Sequence, residues 1–220
     1  MGSKKKTEPV ARVQVLSYTQ ERLKKLAESQ LEPKQIEIRT GMLKDDMFCH
    51  YGYDHTVAAN TTDSVTRKSQ VPVHDDLKAS FRDMNVHLAI VCEEIHPDEI
   101  SDIDNLPELL PDVEREEQDP LALNLSRFTV SAFKIVGNGE NEGVVLTGQK
   151  QLSTGDYVKL ETPIVKWHRD YAFVNELRVA IFNAVEEIEQ YMNGKQAPQR
   201  QTEMDFGDGG NDGQGDEEEE

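Results

Sequence analysis

Two strand-rich stretches, each closed by an amphipathic helix, predict an α+β fold: antiparallel sheet covered on one face by two long helices. The first helix carries Leu77, Phe81, Met84, Leu88, Val91 and Ile95, and their three- and four-residue steps lay all six on one stripe. The second carries Tyr171, Val174, Leu177, Ile181, Ala184, Ile188 and Tyr191 with the same spacing. The 220 residues are 36% hydrophobic and 30% charged. That suffices for a sizeable core, with no run near the roughly 18 apolar residues of a bilayer helix.

Residues 1–9, with Lys4, Lys5 and Lys6, read as a disordered basic arm without the apolar region of a secretory signal. A first α+β unit then spans 10–97. Arg12 to Tyr18 alternates as a strand, and Thr19 is placed to cap a short helix through Leu23, Leu26 and Leu31 that Pro33 ends. Gln35–Thr40 and Asp46–Tyr53 read as strands, with Gly41 and Lys44-Asp45-Asp46 supplying turn chemistry. Ser64–Val73 is the third strand. Asp75 or Asp76 then caps the first long helix, and Pro97 stops it.

Residues 98–120 form an acidic linker holding Pro107, Pro111 and Pro120, whose Ile100, Ile103, Leu106, Leu109 and Leu110 leave it able to dock locally. The second unit, 121–194, repeats the grammar of the first. Phe128–Val136 and Val144–Leu152 flank a hairpin loop at Gly137–Gly143, and Tyr157–Val165 follows a turn at Ser153–Asp156. The second helix ends at Gly194 and Pro198. Residues 195–220 are Gln-, Gly-, Asp- and Glu-rich and read as a disordered acidic tail.

A shift of 93 residues sets Val65 on Val158, Val71 on Ile164, Leu88 on Ile181 and Glu93-Glu94-Ile95 on Glu186-Glu187-Ile188. The chain thus reads as a duplicated three-strand-plus-helix unit, each half covered by its own helix and both forming one pseudo-symmetric body. An OB-like barrel is another way to close such a sheet.

The net charge is -18, but it is concentrated. Nine acidic residues lie in 203–220, and twelve lie between Glu93 and Asp119 against the single Arg115. The rest of the chain balances at +2, so the folded surface is free to bind anions. Cys49 and Cys92 are too few for a disulfide framework and point to a reducing cytoplasm. Cys49-His50-x4-His55 lacks the ligand spacing of a zinc site. Asp45-Asp46 and Asp75-Asp76 are explained by turns and caps, and Gly137-x-Gly139 precedes a strand and not a helix. No catalytic motif is present, which predicts a protein that is not an enzyme and uses no cofactor or metal.

Binding remains. Basic and aromatic residues interleave along the strands, and on a sheet face aromatics stack bases while cations track phosphates. The candidate nucleic-acid-binding set is Tyr51, Tyr53, Arg67, Lys68, Lys134, Lys150, Lys159, Lys166, Trp167 and Arg169. In the tail, Met204-Asp205-Phe206 stands among carboxylates. This tail resembles those of single-stranded-DNA-binding proteins of bacteria and their phages, although there an aromatic ends the chain and here four glutamates do. The resemblance implies an OB-type body that binds single-stranded DNA in replication or recombination, whose acidic tail competes with DNA and recruits partner proteins through Met204, Asp205 and Phe206. With no long apolar run, no membrane partner is expected, and an oligomer is left open. The competing expectation is an acidic protein-interaction module: an inhibitor, adaptor or nucleic-acid mimic.

Overall fold

The computed structural model describes residues 17–29, 35–58, 61–168 and 171–198. The predicted basic arm, residues 12–16 of the predicted first strand, Arg169 and residues 199–220 of the tail, with Met204, Asp205 and Phe206, lie outside the described residues. The start of the predicted tail is described and is ordered: Gln196 bridges Val73, Ala197 N donates to Pro72 O (3.1 Å) and Lys195 pairs with Asp76 and Glu187.

The chain folds into α1 (Tyr18–Ser29), strands β1 (Ile36–Lys44), β2 (Phe48–Ala58) and β3 (Thr61–Pro72), helices α2 (Asp75–Arg82), α3 (Asn85–Val91) and α4 (Pro120–Leu125), strands β4 (Phe128–Val136), β5 (Gly143–Gln151), β6 (Tyr157–Glu161) and β7 (Val165–Lys166), and helix α5 (Val174–Met192). All seven strands join one antiparallel sheet in the order β3-β2-β1-β4-β5-β6, with β7 pairing β5 alongside β6. The sheet stays open, with β3 and β6 at its edges.

Two three-stranded meanders meet where β1 pairs β4, through Thr40↔Lys134, Gly41↔Phe133 and Met42↔Ala132. A shift of 92 exchanges the members of these pairs, which places a pseudo-twofold axis at Gly41↔Phe133. The same shift relates two β-bulges: Arg39 is extruded between Ile38 and Thr40, and Ser131 between Val130 and Ala132. For the next strands the shift is 95, because β1 and β2 are joined by residues 45–47 but β4 and β5 by 137–142. The shift of 93 read from sequence lies between these values.

The helices depart from the expectation that each half covers itself. Helices α2 and α3 lie on β4 and β5, whereas α5 lies on β1. Phe81 of α2 packs on Phe133 of β4, and Tyr191 of α5 meets Tyr51 of β2 edge to face. The two halves are therefore interlocked in one core of Ile38, Leu43, Tyr51, Leu77, Phe81, Leu88, Phe133, Leu146, Leu177 and Ile188. At the axis Gly41 supplies the clearance. A Cβ there would stand 2.6 Å from both Ile188 Cδ1 and Phe133 Cε1.

Several local expectations change. Ser17, not Thr19, caps α1: its hydroxyl accepts from Gln20 N (3.3 Å), and Gln20 Oε1 accepts from Ser17 N (3.2 Å). The Thr19 hydroxyl is directed instead to Asp104 (2.6 Å). His74, not Asp75 or Asp76, caps α2, its Nδ1 accepting from Asp76 N (3.2 Å). The first long helix breaks at Asp83–Met84 into α2 and α3. The break frees the Asn85 side chain to accept from Val130 N beside the Ser131 bulge (2.8 Å). The acidic segment after Pro97 docks in part. Ile100, Ile103 and Leu106 join a second core cluster with Val86, Ile90, Ile95 and Phe128, while Leu109 and Leu110 stay exposed.

Candidate nucleic-acid interface

Strand alternation divides the site candidates between the two faces. The face beneath the helices takes Ile38, Cys49, Tyr51, Val130 and Leu146. Their alternate neighbours form the outer face, on which Lys68, His50, Met42, Ala132, Thr147 and Glu161 make one row across six strands. Lys44 and Lys134 lie on either side of this row, and Lys159 lies with Gln149 and Thr129.

Four outer lysines, Lys44, Lys68, Lys134 and Lys159, are exposed and make no ion pair among the described residues. The face's acidic side chains are largely engaged. Arg39, at its bulge, draws in Glu37 (3.0 Å), Asp54 (3.1 Å) and Glu142 (3.2 Å). With neighbouring strands about 4.8 Å apart, the face from β3 to β6 is about 24 Å across, and Lys68 is about 14 Å from the β4 strand carrying Lys134. Exposed aromatic surface on it comes from Tyr157, 58% exposed at the β6 edge, with half-buried Phe48 at the foot of β2.

The structure brings together only part of the predicted set. Lys68, Lys134 and Lys159 share the outer face. Tyr51 is 5% exposed and belongs to the core, and Tyr53 packs against that core with its ring stacked near Tyr51 (6.4 Å). Neither ring is presented for base stacking. Arg67, opposite Tyr51 in the ladder, is exposed on the helix side. Lys150 also leaves the set: it pairs with Glu94 and lies over the Phe128 ring (5.4 Å). Trp167 packs against the core and donates Nε1–H to Glu142 (3.1 Å), while Lys166 holds Asn141 (3.0 Å), so both brace the 137–142 loop. The alternation that moved Tyr51 inward also identifies Lys44, one β-step beyond Met42, as a member of the site that composition alone overlooked.

The carboxylate and cysteine pairs have local roles. Asp45 and Asp46 sit at φ 54° and 52° in the β1–β2 turn closed by Met47 N to Lys44 O (3.0 Å), a geometry Asp tolerates. Asp75 pairs with Lys78 (3.1 Å), and Asp76 with Lys195 (2.6 Å), whose cation holds the Asp76 carboxyl below its usual range. Cys49 and His50 point to opposite faces as strand neighbours and do not converge on one ion. Burial pushes the Cys49 thiol up to about 12, which leaves it inert. No family model, curated protein or solved structure matches the chain.

Proposed function

We propose that the protein is a non-enzymatic single-stranded nucleic-acid-binding protein whose outer sheet face, opposite the helices, tracks the phosphate backbone. The observation that carries this reading is the set of exposed lysines Lys44, Lys68, Lys134 and Lys159, which among the described residues make no ion pair and lie on the sheet face opposite the helices. A surface so arranged gains affinity by releasing counterions from phosphates, and an open sheet leaves bases room to lie flat on it. Tyr157 is the stacking residue at its edge. A role in replication or recombination, with the acidic tail recruiting partners, extends the same reading.

Fluorescence anisotropy with labelled oligothymidylate and a duplex of equal length, across a salt series, tests it. Single strands bind more tightly, with a linear fall in log affinity against log salt. Lys68→Ala with Lys134→Ala weakens binding and reduces that slope by about 1.4, roughly 0.7 for each phosphate no longer neutralised. Absence of binding at low salt by the full chain sinks the reading. The protein-interaction module then takes its place, because Leu109 and Leu110 stand exposed between Glu108 and Asp112. Gln118 fixes their loop through bonds to Leu110 N (2.9 Å), Leu110 O (2.6 Å) and Val113 O (2.7 Å).

A further inference from the structure

The two sheet edges are protected unequally. At the end of β3, Gln196 bridges Val73, Ala197 N donates to Pro72 O (3.1 Å) and the Tyr191 hydroxyl donates to Val71 O (2.5 Å). Arg67 and Lys68 add charge further along. On β6, among the described residues, residues 157–161 make backbone ladder bonds to β5 alone. Leu152 N bonds Asp156 O (2.8 Å) and Thr162 N bonds Leu146 O (2.9 Å), so Asp156 and Thr162 turn their backbone groups toward β5. Antiparallel alternation gives Val158 and Leu160 the same direction. Tyr157, Lys159 and Glu161 therefore present N–H and C=O outward, on an edge where Tyr157 is 58% and Val158 is 42% exposed.

We propose that this edge is a homodimer interface, in which β6 pairs antiparallel with β6 of a second copy about a twofold axis at Leu160. The axis position follows from charge and backbone parity together. Centred on Leu160, Lys159 of each copy faces Glu161 of the other, giving two opposite-charge cross-strand pairs on the outer face. The same register sets outward-facing backbone groups opposite one another and places Leu160 against Leu160 as a non-hydrogen-bonded pair. A twofold on Lys159 or Glu161 would oppose like charges instead. The two open sheets become one, and a C2 arrangement closes without leaving a further β6 edge. Lys159 is then spent at the seam, while Lys44, Lys68 and Lys134 are doubled across the joint face. The inference is independent of what that face binds.

An interface built on a strand of five residues from each copy falls in the small class, so the dimer forms as a micromolar equilibrium. Analytical ultracentrifugation of the full chain over the micromolar range shows the mass rising from one to two copies. Lys159→Glu opposes two like-charge pairs and weakens the dimer about tenfold or more. The exchanged variant, Lys159→Glu with Glu161→Lys, restores it; both positions are exposed and the fold is kept. Leu160→Cys forms an intermolecular disulfide on oxidation, since non-hydrogen-bonded pairs stand at about 4.5 Å between Cα atoms. The parent chain, with Cys49 and Cys92, is its control. A monomer at every concentration, a dimer indifferent to Lys159→Glu, or failure of the exchanged pair to restore it overturns the proposal.

Discussion

His87 is 2% exposed on α3, with Nδ1 2.8 Å from the Tyr171 hydroxyl and the two rings edge to face. Burial pushes its pKa from 6.5 down to about 3. Burial and the nearby Glu176 raise the Tyr171 phenol, so it stays protonated beside a neutral imidazole. The unfolded chain protonates this histidine below its ordinary pKa, whereas the folded chain does not until the pH nears the depressed value. Over that window the unfolded state binds the extra proton, and stability falls as pH falls by up to about 1.4 kcal/mol per unit. Near pH 5 the loss relative to neutral or higher pH is about 2 kcal/mol. Urea unfolding of the parent and His87→Gln at about pH 8 and pH 5 measures it. The variant is less stable at the higher pH but loses about 2 kcal/mol less on acidification, because Gln does not titrate. Equal losses in the two proteins would refute a neutral buried His87.

Gly41→Ala presses a methyl group onto Ile188 and Phe133 at the pseudo-twofold axis, and should cost about 1–3 kcal/mol in urea unfolding. Adding Ile188→Val should recover part of that cost, and strictly additive effects would count against the contact. Truncation after Thr202 removes nine carboxylates and should tighten single-stranded DNA binding, more at low salt than at high salt, when the Debye length shrinks from roughly 30 Å to 3 Å. Phe206→Ala should leave that affinity unchanged, since the competition is by charge; weakened DNA binding in this variant would contradict the account.

Much of the fold was legible because periodicity is a local signal. The apolar steps from Leu77 to Ile95 and from Tyr171 to Tyr191 located the helical regions, and the strand–turn–strand grammar located both meanders. The helix break at Asp83–Met84 was not legible. The stripe runs through it without a change of phase, and the bond that accompanies the break, donated by Val130 N to Asn85 Oδ1, joins residues 45 apart in sequence. The site was legible less far. Alternation pairs Tyr51 with Arg67 and His50 with Lys68 but does not say which pair faces the helices. The bulges at Arg39 and Ser131 also reset the alternation within β1 and β4.

Composition, spacing and duplication determined the α+β class, the approximate repeat and the concentration of negative charge outside a nearly neutral remainder. Tertiary structure decided that each half's helices cover the other half's strands, which burial of one shared core favours once Gly41 lets α5 approach the axis. It also decided which lysines are free. An ion pair such as Lys150–Glu94 joins residues far apart in sequence, and only the folded chain brings the carboxylate to the cation.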